Sequence, residues 1–225
     1  MSRIRIVVLS LSVVLAVSAM ASGSASALKL KYYEAPHTEI TVATAVTGTV
    51  GVAQLQSIIL SDKIMVECTN NKFSGEIEAG GKSKGKIEFG GCELYQIKEG
   101  KKEAEGSSCE VTVPTFKFKD KLIEGTKSGV VEDEFEPETP PIFVELVIIT
   151  KTGQTCIFGE KSPGKKYKTE GTYQASFGDE GERALKEHEL VFDAPGSNVT
   201  FGKEKASYTD TVKKLEAGGK EFYVE

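Results

Sequence analysis

The sequence predicts an all-β protein, an antiparallel β-sandwich or barrel built from short strands and Gly/Lys hairpins with very little helix. Short β-prone runs recur along the chain, separated by Gly, Pro, Asn and Lys, which is typical of strands joined by hairpins. Apolar and polar residues alternate in several of these runs, as in strands with one face in water. Only residues 182–187 have a pattern that suggests a short helix.

The first 27 residues have the features of a secretory signal peptide. Arg3 and Arg5 precede an apolar stretch at 6–20, and Ala25-Ser26-Ala27 fits the small-residue cleavage rule. We expect cleavage between Ala27 and Leu28, and a secreted or envelope-associated mature protein. No later stretch is apolar for eighteen residues, so we expect no membrane span after the signal is removed.

Residues 28–225 are expected to form a single all-β domain, with 28–39 as a loose N-terminal arm. Fifteen runs are strand candidates, at 40–47, 55–60, 64–68, 73–78, 85–89, 94–98, 109–113, 115–119, 142–150, 156–158, 168–177, 189–192, 199–201, 205–213 and 221–224. Gly80-Gly81 and Gly218-Gly219 are predicted hairpin tips, because Gly adopts positive φ without steric cost. The acidic stretch 132–141 is predicted to be a surface loop between two sheets.

Alternation also predicts which side chains form the core. Ile87 and Phe89 point one way while Lys86 and Glu88 point the other. The predicted core consists of Ile64, Val66, Ile77, Ile87, Phe89, Val144, Leu146, Ile148, Tyr173, Phe177, Leu190 and Phe192.

Four cysteines, an even number in an exported chain, predict disulfides. The alternative, a metal site, would need closer spacing or more His than the two present, so no metal is expected. The predicted hairpin at Gly80-Gly81 returns the chain to its starting edge, which brings Cys68 and Cys92 together. Cys109 and Cys156 then pair by elimination, although a Cys92–Cys109 bridge is also short enough to form.

No motif predicts a catalytic or cofactor-binding residue. The glycine- and lysine-rich segments 80–86 and 159–165 resemble phosphate loops but lack the final hydroxyl and a following helix. His37 and His188 stand outside any recognisable nucleophile motif. The acids at 132–138 lack calcium-loop spacing. A formal charge of −5 and a single Arg, Arg183, after the signal also argue against a nucleic-acid partner.

The segment from Cys68 to Cys92 resembles a known group of proteins. Glu67-Cys68, then Gly75-Glu76-Ile77, then Lys84-Gly85-Lys86-Ile87-Glu88-Phe89-Gly90-Gly91-Cys92 is similar to a pattern in exported, β-rich, disulfide-containing proteins of soil actinobacteria. Cys109-Glu110-Val111, Phe143-Val144-Glu145 and Gly171-Thr172-Tyr173 continue the likeness toward the C-terminus. The resemblance implies export and an all-β fold, and it brings no activity and no catalytic residue.

The first functional hypothesis is therefore an exported, non-catalytic β-domain with a binding, adhesive or envelope-associated structural role. Its candidate partners are a cell-wall component, an extracellular glycan or a protein. The alternative is a module that binds a glycan or small ligand, for which Tyr32, Tyr33 and Tyr223 are the candidate exposed rings in a chain without Trp. A secreted hydrolase with unrecognised carboxylates is a third hypothesis.

Overall fold

The computed structural model describes residues 30–34, 38–125, 131–177, 190–191, 198–220 and 222–224, and it is all-β, as predicted. No helix occurs in these residues; the predicted short helix at 182–187 lies outside them. The strands are β1 Tyr32–Glu34, β2 Thr38–Glu39, β3 Thr44–Val50, β4 Ala53–Ile59, β5 Asp62–Cys68, β6 Lys72–Glu78, β7 Lys82–Glu88, β8 Cys92–Lys98, β9 Lys101–Ala104, β10 Cys109–Thr112, β11 Phe116–Glu124, β12 Val131–Pro137, β13 Ile142–Thr150, β14 Lys165–Phe177, β15 Leu190–Val191, β16 Asn198–Phe201, β17 Glu204–Thr209, β18 Thr211–Ala217 and β19 Phe222–Val224.

Eight strands pair in a closed circuit that we call the first tier. Its order is β12-β11-β7-β6-β3-β18-β15-β14. The last strand, β14, pairs with the first, β12, from Phe135↔Tyr173 to Glu132↔Ser176. All of these pairings are antiparallel. Among the described residues, each strand of this circuit therefore pairs with two neighbours, although β15 contributes only two residues.

The other strands form a second tier, a curled sheet in the order β10-β13-β14-β16-β17-β4-β5-β8-β9. Near its two ends, β10 packs close to β8. No ladder joins β10 to β8 among the described residues. The second tier is thus curled but not closed.

The two tiers are continuous, because most strands of one run on into strands of the other. Links of one to four residues connect β3 to β4, β5 to β6, β7 to β8, β10 to β11, β12 to β13 and β17 to β18, and β14 passes through both tiers without a break. We call the level of these links the waist. Gly51 lies in one link, and its N–H donates to the Thr211 carbonyl across the waist.

The acidic stretch predicted to be a surface loop is mostly strand β12, so that prediction is wrong. Val131, Asp133 and Phe135 point inward and are buried, while Glu134 and Glu136 on the other face lie beside Lys121. The run alternates like any strand, but its inward Asp and its many acids hide the pattern. Only residues 138–141 link two strands here.

Inward-facing aromatic and aliphatic side chains fill the interior. Phe116 contacts Phe143 with ring centroids 4.9 Å apart, and Phe143 contacts Tyr173 at 4.5 Å. Of the predicted core, Ile64, Val66, Ile77, Ile87, Leu146, Ile148 and Tyr173 are buried. Phe89 and Val144 are only half-buried, and the side chains of Phe177, Leu190 and Phe192 lie outside the described part of the chain.

The segment predicted to be a loose arm forms β1 and β2, so it is not loose where the structure describes it. Both belong to a small sheet, β19-β1-β2, that packs on the first tier. Tyr32 is buried, and its hydroxyl donates to Asp133 Oδ1 at 2.9 Å. The partner strand β19 lies at the other end of the sequence, and a local pattern cannot indicate such a pairing.

Two disulfides are present, one between Cys68 and Cys92 and one between Cys109 and Cys156. These are the two pairs predicted from the order of strands and hairpins. Cys156 lies in the segment between β13 and β14, so the strand predicted at 156–158 is wrong. The arrangement of the strands around Cys68 and Cys92 differs from the predicted three-strand meander. Cys68 and Cys92 face each other on the adjacent strands β5 and β8 at the waist, and the β6–β7 hairpin between them belongs to the first tier. Two disulfides indicate an oxidising compartment.

Candidate functional site

A small apolar cavity lies inside the waist. Five aromatic rings line it, from Phe89, Phe116, Phe143, Tyr173 and Tyr208. Tyr173 and Tyr208 meet edge to face at 5.3 Å. A ring-lined space of this kind is what the small-ligand hypothesis requires.

The size of the waist cavity argues against a ligand. Its volume is about 40 Å³, whereas an engineered cavity that accepts benzene measures ~150 Å³ and ligand pockets measure roughly 300–1,000 Å³. Its polar neighbours are already bonded: the Tyr208 hydroxyl donates to Asp210 Oδ2 at 2.9 Å, and the Thr211 N–H donates to Oδ1 at 2.7 Å. Burial raises the pKa of Asp210 to about 6. We therefore interpret the waist cavity as imperfect packing where the two tiers meet.

A pair of buried carboxyl groups, which sequence analysis did not find, lies in the first tier. Asp120 on β11 accepts a hydrogen bond from the Ser83 hydroxyl, and Asp133 on β12 accepts one from Tyr32. Burial raises the pKa of Asp120 to about 7. Burial, and then the nearby Asp120, raise the pKa of Asp133 well above its usual value.

Raised carboxyl pKa values are a property that a hydrolase would also need. However, the space beside this pair is about 20 Å³, which holds roughly one water molecule and no substrate. Both carboxyl groups are also hydrogen-bonded to side chains of the fold. We therefore assign the pair to the structure of the first tier.

The other candidates from the sequence do not form a site. Segment 80–86 contains the tip of the β6–β7 hairpin and most of β7, with Gly80 and Gly81 at positive φ, as predicted for a tip. A strand follows it where a phosphate loop would need a helix. His37 and His188 lie outside the described residues, and the described part of the chain has no group of three or more metal-binding side chains.

The aromatic candidates for glycan binding are not exposed. Tyr32 and Tyr223 are both buried. Tyr33 is half-buried and stacks on Tyr223 at 5.4 Å. The prediction that these rings are exposed is therefore wrong for Tyr32 and Tyr223, because β1 and β19 pair with each other and pack on the first tier.

An open groove remains between β4 and β17 at the outer face of the second tier. The two strands pair from Gln54↔Thr209 to Gln56↔Ser207, and the ladder ends there. Beyond this pair lies a groove of about 420 Å³, within the range of ligand pockets. We call it the notch; its lining residues are Gln56, Ser57, Ile58, Lys63, Lys205, Ala206 and Ser207.

The notch combines apolar and cationic groups. Ile58 is 47% exposed, and Leu60 at the adjacent hairpin tip is 67% exposed. Lys63, directly opposite Ile58 on β5, and Lys205 have no ion-pair partner among the described residues. An uncompensated pair of cations beside apolar side chains favours an acidic, partly apolar ligand.

The tip beside the notch has an unusual backbone. Leu60 and Ser61 join β4 to β5 with φ of +51° and +74°. Positive φ is costly for side chains other than Gly, Asn or Asp, and it places an exposed Leu where a turn normally has Asn-Gly. A strained, apolar tip is a feature that occurs at functional sites.

No protein-family model, curated protein or solved structure matches this chain. The described residues include no helix that is long and apolar enough to cross a membrane.

Proposed function

We propose that this chain is an exported, non-catalytic binding domain that recognises its partner through the outer surface of the barrel-like fold. The observation that carries the proposal is the filled interior. The waist cavity and the space beside Asp120 and Asp133 are both too small for a ligand. These small volumes favour a binding surface on the outside of the fold.

Export is supported by two independent features. The first 27 residues have the pattern of a signal peptide. Two disulfides fit an extracellular or envelope location, where thiols are oxidised. The resemblance to exported actinobacterial proteins agrees with the same location. N-terminal sequencing of the exported protein should begin at or near Leu28, and a chain that retains Met1 in the cytosol would contradict export.

Binding is tested with the mature chain, residues 28–225, immobilised with its disulfides intact. Cell-wall polymer, extracellular glycans and secreted proteins of the source organism are passed over it. We expect one component to be retained and to be lost on a matched surface of reduced, alkylated protein, because recognition by a folded surface needs the fold. Retention of nothing beyond that control would contradict the proposal and leave an envelope-associated structural role.

A further inference from the structure

We propose that the notch between β4 and β17 binds an extended, acidic segment of a partner polypeptide. This inference rests on the proposed binding function and names the site and the class of partner.

The backbone of both strands supplies the first argument. In the register of β4 and β17, Ile58 and Lys205 would form the second pair beyond Gln56↔Ser207, and the ladder ends before it. Two-residue turns make Ile59↔Asp62 and Phe201↔Glu204 the hydrogen-bonded closing pairs of the neighbouring hairpins, on the sides away from the notch. Hydrogen-bonding direction alternates along a strand, so the N–H and C=O groups of the next residues, Ile58 and Lys205, point toward the notch. An extended segment in the notch can bond to these groups as a neighbouring strand would.

A side chain supplies the second argument. The Ser57 hydroxyl donates to the Lys205 carbonyl at 3.3 Å, a long hydrogen bond that takes the place of the missing ladder contact. A long bond is easily exchanged for a better one. A peptide N–H that approaches Lys205 can therefore replace it at little cost.

The chemistry of the walls selects a polypeptide over a glycan. The notch has no aromatic ring among its lining residues, and sugars stack on rings. Ile58 offers an apolar surface for one side chain of the segment. Lys63 and Lys205 lie on the same face of the sheet as Ile58 and offer positive charge for acidic side chains of the segment. Side chains alternate between the two faces of a strand, so a segment that alternates acidic and apolar residues presents its acids to these lysines on one face.

Lysines beside an unpaired strand edge have a second known effect, which is to deter pairing with other chains. The two effects make opposite predictions for charge removal. If the lysines only deter pairing, their replacement should increase self-association. If they attract an acidic segment, their replacement should weaken its binding.

The test uses three dye-labelled heptapeptides and fluorescence anisotropy with the mature, disulfide-bonded protein. The first is acetyl-TVEVEVT-amide, the second has Lys in place of Glu, and the third is the first with N-methyl groups on alternate amides. We expect saturable binding of the first, and binding at least about tenfold weaker for each of the others, a loss of ~1.4 kcal/mol. Equal binding of all three would overturn the inference.

Protein variants locate the binding. Lys63→Glu and Lys205→Glu should each weaken binding of the acidic peptide by about fivefold or more, because each replaces an attractive charge at the edge of the notch with a repulsive one. Lys82→Glu, a control on the outer face of the first tier, should leave binding unchanged. Thermal unfolding of each variant checks that it is folded. A loss of equal size in Lys82→Glu, or self-association of the notch variants without weaker peptide binding, would refute the notch as the site.

Failure of this inference is distinguishable from failure of the proposed function. If the notch variants still retain a component of the source organism's secreted or wall material, the binding function holds and the notch is not its site. If the unaltered protein retains nothing and binds no peptide, both are wrong.

Discussion

Asp120 and Asp133 are two acids buried side by side, and no cation of the described part of the chain bonds to them. Their surroundings are Tyr32 from β1, Ser83 from β7 and Glu76 from β6, which also lines the space. Such a site favours the neutral carboxyl form, because burial penalises charge. The neutral form also makes the pair compatible with an otherwise apolar interior.

We therefore expect the contribution of this pair to the unfolding free energy to be larger in acid than at neutral pH. The folded pKa of Asp120, about 7, exceeds its ordinary value of 3.8. Its contribution to stability is then fully present below pH 3.8 and is lost as the pH rises from there through 7. Asp120→Asn should reduce the fall in unfolding free energy between pH 4 and 8.

Urea denaturation across that pH range provides the measurement. Glu136→Gln, which removes an exposed carboxyl from β12, is the matched control and should follow the unaltered protein. If the curve of Asp120→Asn runs parallel to that of Glu136→Gln, the pair does not determine the pH dependence.

Individual elements differ in how far local sequence indicates them. The β6–β7 hairpin was predictable, because Phe73, Ile77 and Ile87 alternate with charged residues around two glycines. β1 was not, because three residues are too few to show a period and its partner β19 is distant. The notch was not predictable either, since it depends on where a ladder between β4 and β17 stops.

The β4–β5 hairpin should become more stable when its tip is replaced. Replacing Leu60-Ser61 with Asn-Gly should raise the unfolding free energy by roughly 1–2 kcal/mol, because both residues have positive φ. If the notch binds its peptide as proposed, loss of the exposed Leu should also weaken that binding. Chemical denaturation and peptide titration of the same variant measure the two effects.

Gly80→Ala is the converse control for that variant. Gly80 has φ of +78°, and a Cβ there would meet no atom within 4 Å, so the substitution isolates the backbone cost. The Gly80→Ala variant should lose about 1 kcal/mol of unfolding free energy. A Leu60-Ser61 variant no more stable than the original would show that the tip is unstrained.

The disulfides are expected to contribute strongly because each closes a long loop. Removing Cys68 and Cys92 together, as alanines, should lower the unfolding free energy by roughly 3.5 kcal/mol for a separation of 24. Removing Cys109 and Cys156 should cost roughly 4 kcal/mol for a separation of 47. Urea titrations of the two double variants measure both losses, and losses below about 1 kcal/mol would contradict the entropic account.

At the scale of the whole molecule, the sequence predicted the class of fold but not its two tiers. Strands of one tier run into the other across the waist, and no compositional change marks that level. Links such as Gly51-Val52 and Thr69–Asn71 look like ordinary turns in the sequence. Only the pairing partners, such as Val50↔Val212, show that each strand continues into the other tier.

The waist cavity provides a test at the same scale. Val66→Ile adds one methylene toward this space and should raise the unfolding free energy by about 0.5–1 kcal/mol. Val199→Ile adds the same group at a buried site that does not line the cavity, and overpacking there should cost about 1–3 kcal/mol. Thermal denaturation distinguishes the two, and equal destabilisation would show that the waist is fully packed.

The pairing of β3 with β18 limits how early during synthesis the first tier can form. These strands come from opposite ends of the described sequence, and both are needed to close the first tier. When the chain is synthesised from its N-terminus, the edge of β3 that pairs with β18 therefore stays unpaired until residues 211–217 are available. Contacts of such long range make folding slow, on the order of milliseconds to seconds. During that interval the partly folded molecule exposes unpaired strand edges to other chains, and these edges are paired once the first tier has formed.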